Sequence, residues 1–176
     1  MMKISPFSIR FGIILIFLIY VVNFEAFNQT KKVDIVKFED LQKVLNQVSD
    51  TTVVMHFWAT WCRPCLEELP FFEGLNTEYS TKKVKFLLIS MGFPKDVETS
   101  VKGFLARNKV QSKVVLLDEP DYNHWIDLID KEWSGSIPAT LIINTKMQKR
   151  KFFEGKVNAE IFMEELKKMW TVTIQN

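Results

Sequence analysis

Apolar and polar positions along the chain fall into blocks with two distinct periods. In "FEDLQKVLNQV" the apolar residues Phe38, Leu41, Val44, Leu45 and Val48 recur at helical spacing. "TTVVMHFW" is β-branched and apolar throughout except for His56, which predicts a strand covered on both faces. A helix is expected from Arg63 to about Tyr79, kinked at Pro70. Val84–Ser90 predicts a second buried strand, and Lys95–Asn108 a helix weakened at Gly103. A third strand over Lys113–Asp118, a short helix over Asp121–Trp133 and a fourth strand over Ala139–Asn144 follow. "NTKMQ" then turns into "KRKFFEG", an edge strand. Asn158–Trp170 closes as an amphipathic helix, with Ile161, Phe162, Leu166 and Met169 on one face and Asn158 as the cap.

Strands alternating with helices imply an α/β fold: a central, mixed but mostly parallel β-sheet flanked by helices on both faces. The final hairpin adds one antiparallel strand. The polar stretch Asn28–Asp34 reads as a linker, and no internal repeat is present.

The N-terminus breaks this pattern. Lys3 and Arg10 precede an uncharged apolar run, Phe11–Val22. A basic flank followed by an apolar core directs a chain across a membrane. The run is short for a spanning helix, yet only Ala26 offers a small residue for cleavage. Residues 1–27 are therefore expected to be a signal anchor or a signal peptide, and residues 28–176 an extracytoplasmic domain, anchored or secreted.

The chain has 176 residues, 47% of them hydrophobic and 25% charged, enough for one domain with a full core. Fifteen Phe and five Trp predict an aromatic core. The net charge of +2 gives no nucleic-acid surface. Without Lys3, Arg10 and Glu25 the balance is 21 basic against 20 acidic residues, so no charge-driven partner is implied. The basic run Lys146–Lys151 reads as an exposed turn and strand start.

Both cysteines lie in "FWATWCRPCLEELP", Phe57–Pro70. A purely structural disulfide would close a very small loop and stabilise little. Zinc would require His56 and His124, the only histidines, and His56 lies on a buried strand; no metal is expected. A redox pair accounts for more of the segment. Cys62 stands where a strand meets a helix, and the helix N-terminus favours a thiolate there. Arg63 adds positive charge beside it. Pro64 suits the first helical turn, where its missing N–H costs nothing. Cys65, one turn further in, should be more buried and would resolve the mixed disulfide that Cys62 forms.

"FWATWCRPC" resembles the active-site segment of the thioredoxin superfamily, and its continuation "LEELP" resembles the extracytoplasmic TlpA/ResA-like branch. "SGSIPATLIIN", Ser134–Asn144, is similar to the superfamily's second signature, a cis-proline loop entering a strand. The resemblance covers roughly Lys32 to Trp170. It implies a thioredoxin-like fold, with Cys62 as nucleophile, Cys65 as resolving thiol and Pro138 as the cis-proline beside them. The backbone at Ile137 would face a bound peptide and keep a metal out. Trp61 would shield the disulfide, core packing being its other reading. Glu68 matches a glutamate that ResA-like proteins carry near the cysteines. His56 departs from the family, which has aspartate or asparagine there. Both are candidates for proton exchange with the thiols; a solvated helix glutamate and a hydrogen-bonded core histidine are the alternatives.

The implied activity is thiol–disulfide exchange with no cofactor beyond the Cys62–Cys65 disulfide. Its expected direction is reduction of extracytoplasmic protein disulfides, an apocytochrome c among them. The expected partners are a disulfide-containing protein, a membrane thiol-electron donor and the membrane through the N-terminal segment, for a monomeric protein. Oxidation and isomerisation stay open, as does a metal- or haem-handling module using the thiols as ligands. A peroxidase is disfavoured, because no threonine stands three residues before Cys62.

Overall fold

The computed structural model describes residues 31–170. The leader expected in residues 1–27 lies outside them. No helix among the described residues is long and apolar enough to cross a membrane.

The elements run β1 (Asp34–Val36), α1 (Phe38–Asn46), β2 (Thr52–Trp58), α2 (Arg63–Glu78), β3 (Val84–Ser90), α3 (Lys102–Arg107), β4 (Lys113–Leu117), α4 (Tyr122–Ile129), β5 (Ala139–Asn144), β6 (Lys149–Glu154) and α5 (Ala159–Lys168). They build a six-stranded sheet in the order β1-β4-β3-β2-β5-β6. Pairings β1–β4, β4–β3 and β3–β2 are parallel. β5 runs antiparallel to both β2 and β6. The antiparallel strand of the final hairpin is thus β5, and β6 returns in the direction of the others.

Strand β2 shows why its sequence is apolar on both sides. Met55 and Phe57 enter a core with Phe38, Leu41, Trp125 and Ile129 from α1 and α4. Val54 and Trp58 face the other way, toward α2, α3 and α5. The aromatic core expected from composition is present: Phe57 lies 4.7 Å from Trp133 and 6.1 Å from Trp125, ring centre to ring centre.

Four local readings change. Asp34, expected to end a linker, instead opens β1, which covers the edge of β4 in the register Asp34↔Val115. The helix expected over Lys95–Asn108 divides into a 3-10 turn (Pro94–Asp96), a π-helical turn (Val97–Val101) and α3. The wider turn still buries Val97, Val101 and Leu105 together. Helix α4 stops at Ile129, because Asp130 is extended (φ −160°, ψ 135°), and Trp133 packs from the loop beyond. Val48 and Ile161, assigned to buried helix faces, are 77% and 53% exposed. Val48 lies past the end of α1, and Ile161 sits about 100° round the helix from Phe162. Pro70 stands inside α2 without ending it, and the run Lys146–Lys151 forms the expected turn and strand start.

Candidate active site

Because β2 and β5 are antiparallel neighbours, the end of one meets the start of the other. The segment after β2 carries the cysteines, and the segment before β5 carries Pro138. Ile137–Pro138 is a cis peptide bond. Cys62 and Cys65 form a disulfide with an S–S distance of 2.04 Å. Cys62 is 5% exposed and Cys65 is fully buried, in the expected order.

Cys62 is the N-cap of α2 (φ −88°, ψ 95°), and Pro64 lies in the first turn. The Cys65 N–H donates to Cys62 Sγ at 3.3 Å, so a sulfur takes the place of the usual capping oxygen. A helix N-terminal N–H donated to this atom favours negative charge on it. On its other side, Cys62 Sγ lies 3.7 Å from the Ile137 carbonyl oxygen. In the disulfide that sulfur carries no proton; in the dithiol the carbonyl can accept one from it.

The proline loop is held in place by its neighbours. Trp133 Nε1–H donates to the Ser136 carbonyl at 2.8 Å, and the Gly155 N–H to the Pro138 carbonyl at 2.8 Å. Ser134 Oγ donates to the Glu154 carboxylate.

Glu68 and His56 meet behind the cysteine helix. Glu68, three residues after Cys65, is 4% exposed, which removes the solvated reading. Its Oε2 accepts the Val157 N–H at 3.0 Å. Its Oε1 points at His56 Nε2, 3.6 Å away and just beyond hydrogen-bond distance. Neither of those two atoms has a hydrogen-bond partner among the described residues. His56 Nδ1 is 3.0 Å from Thr140 Oγ1, and its ring lies 4.4 Å from that of Phe72. Burial pushes the Glu68 carboxyl up to about 7, against the opposing pull of the Val157 N–H and Lys156. Burial alone pushes His56 down to about 3, so the imidazole is neutral. The two His56 nitrogens are therefore directed at Thr140 and at Glu68.

Two other residues look different in place. The Arg63 side chain is 91% exposed and pairs with Glu67 at 3.2 Å, one turn along α2. Its charge is offset by that carboxylate, which Lys156, more than Arg63, holds below its usual range. Trp61 is 68% exposed, which excludes core packing. His124 lies exposed on α4, and among the described residues no three His, Cys, Asp or Glu side chains are grouped as a metal would require. Thr140, Phe72 and the Val157 N–H escaped the sequence reading. Thr140 alone left a trace there: it stands in the I-P-A-T segment, and the register pairs it with His56.

Sporulation thiol-disulfide oxidoreductase A of Bacillus subtilis is 26% identical over 111 residues, 63% of this chain and 64% of that protein. Thiol-disulfide oxidoreductase ResA of Geobacillus thermodenitrificans is 27% identical over 114 residues, 65% of this chain and 60% of that one. The chain thus spans about three-fifths of the length of these relatives. Among solved structures, StoA from Bacillus subtilis superposes with a TM-score of 0.51 at 24% identity, over 69% of this chain and 85% of that one. A thioredoxin-related protein from Neisseria meningitidis serogroup B gives 0.60 at 19% identity, over 71% and 89%. These likenesses bear out the thioredoxin-like fold expected from the two motifs. Residues 23–150 match the AhpC/TSA family, a run that carries both the cysteine pair and the proline loop, and the chain therefore belongs to that family.

Proposed function

We propose that this protein is a membrane-attached, extracytoplasmic thiol–disulfide oxidoreductase that reduces disulfides in other proteins. The observation that carries the reading is the Cys62 sulfur held between a helix N–H at 3.3 Å and the Ile137 carbonyl at 3.7 Å. The names of the two curated relatives support it.

In the first step the Cys62 thiolate attacks one sulfur of the client disulfide. That bond breaks, one client thiolate leaves, and a mixed disulfide forms. Cys65 then gives up its proton and attacks Cys62 Sγ, expelling the second client thiolate. Two electrons pass to the client, and the protein is left as the Cys62–Cys65 disulfide. Glu68, at about 7, holds both protonation forms near neutrality and takes the Cys65 proton. His56 is its neutral neighbour, and Ile137 with Trp61 receives the client chain. A membrane dithiol donor resets the pair. An apocytochrome c before haem attachment fits as client.

The test is the reduction potential of the full chain in defined thiol–disulfide buffers. A reversible two-electron couple at about −250 mV or below is expected of a reductant, whereas one near about −120 mV makes it an oxidant or isomerase. Retention of metal with no reversible couple would overturn the enzyme reading.

A further inference from the structure

Strands β1 to β4 are parallel and all begin at one end of the sheet, opposite Cys62. The described segments that meet at this first end are residues 31–33, 47–51, 79–83, 108–112 and 145–148. They hold six lysines and a single carboxylate, Asp50. The connecting segments at the Cys62 end (37, 59–62, 91–93, 118–121, 130–138 and 155–158) hold three lysines against five carboxylates. Two further carboxylates reach the first end, Asp34 paired with Lys32 and Glu73 accepting the Gln111 and Ser112 N–H groups, so lysines still exceed carboxylates there while carboxylates exceed lysines in the segments at the Cys62 end.

Asp50 is already paired with Lys83. Lys82, Lys109 and Lys146 are exposed, and Lys146 adds its charge to the pull of Lys83 on Asp50. Lys82 lies over the Tyr79 ring at 4.2 Å. Among these lysines stand apolar groups. Val48 is 77% exposed, and Trp170, 39% exposed, lies 5.9 Å from Tyr79. Trp170 and Met147 line a cleft of about 390 Å³ with Lys82, Lys83 and Lys146. Lysines interleaved with an aromatic and aliphatic tips suit a lipid interface, where stems lie among acyl chains and ammonium groups meet phosphates.

The chain reaches this end first. The uncharged run closes at Val22, and the nine steps to Lys31 span about 30 Å at most. We propose that the basic end around Lys82, Lys109 and Lys146 rests on an anionic lipid surface, with Val48 at its tip. Cys62 is then held on the side facing away from the bilayer, beyond the seven residues of β2, a rise of about 23 Å. This inference rests on the membrane attachment proposed above.

The test uses the full chain, oxidised so that Cys62 and Cys65 do not react, with Val48→Cys carrying an environment-sensitive fluorophore. It is placed in nanodiscs of phosphatidylcholine, or of phosphatidylcholine with phosphatidylglycerol, each doped with headgroup-quencher lipid. The expected result is quenching in the anionic discs alone, abolished by high salt and by combined Lys82→Glu, Lys109→Glu and Lys146→Glu. A chain that stays with the discs while the probe remains unquenched in both overturns the docking and leaves the attachment standing. Quenching that ignores lipid charge, salt and the triple substitution also overturns it. A chain that does not co-elute with either disc overturns the attachment, and the docking with it.

Discussion

Glu68 and His56 confront one another with opposite demands on pH. Burial holds Glu68 above its ordinary value, at about 7 against 4.5. Its contribution to stability is full below the unfolded value and is lost as pH rises through about 7. His56 is depressed from 6.5 to about 3, so its contribution is present above 6.5 and is lost as pH falls toward 3. The charged and polar groups facing Glu68 are Lys156, the Val157 N–H and His56 itself. Between about pH 4.5 and 6.5 the two slopes partly cancel. Glu68→Gln removes one of them, so its advantage over the parent is expected to be greatest above pH 7 and to shrink on acidification. Thermal unfolding of both proteins from pH 8 to 4.5 measures this, and a constant difference would refute it. Much of this site was legible residue by residue. Three-residue spacing put Glu68 on the Cys65 face, and the fully apolar strand put His56 indoors. What the cysteine motif did not announce is the partner of Arg63: Glu67, four residues on, lies within reach of a long cation on a helix.

Among the elements, those with strong periodicity or a cap were readable, and those created by a neighbour were not. Asn158 accepts the N–H groups of Glu160 and Ile161 at 3.0 and 3.1 Å, as its place before an amphipathic run predicts. Asn158→Ala is expected to cost about 1 kcal/mol, read as a lower denaturant midpoint with an unchanged slope. Strand β1 has three residues and no hydrophobic alternation to announce it; the open edge of β4 calls it into being. The π-helical turn ahead of α3 was not readable either: Val97, Val101 and Leu105 keep the four-residue spacing of an ordinary helix face and are buried together, and nothing in that spacing announces the wider turn.

At the scale of the whole molecule, β2 and β3 pair over seven residues, and β5 pairs on both sides. Native-state hydrogen exchange is therefore expected to be slowest in β2, β3 and β5 and fastest, among strands, in β1. Equal protection across the sheet would contradict that hierarchy. Net charge was legible from composition, but its uneven sharing between the two ends was not, since only the topology says which loops meet. The same topology gives the cysteines a history. Ile137 lies 75 positions after Cys62, yet its carbonyl stands beside that sulfur. A ribosome delivers the thiols first. Until the last third of the chain arrives and β5 inserts between β2 and β6, Cys62 sits at the lip of an unfinished sheet, open to whatever oxidant it meets. Maturity of this site is an event in time, dated by the docking of β5.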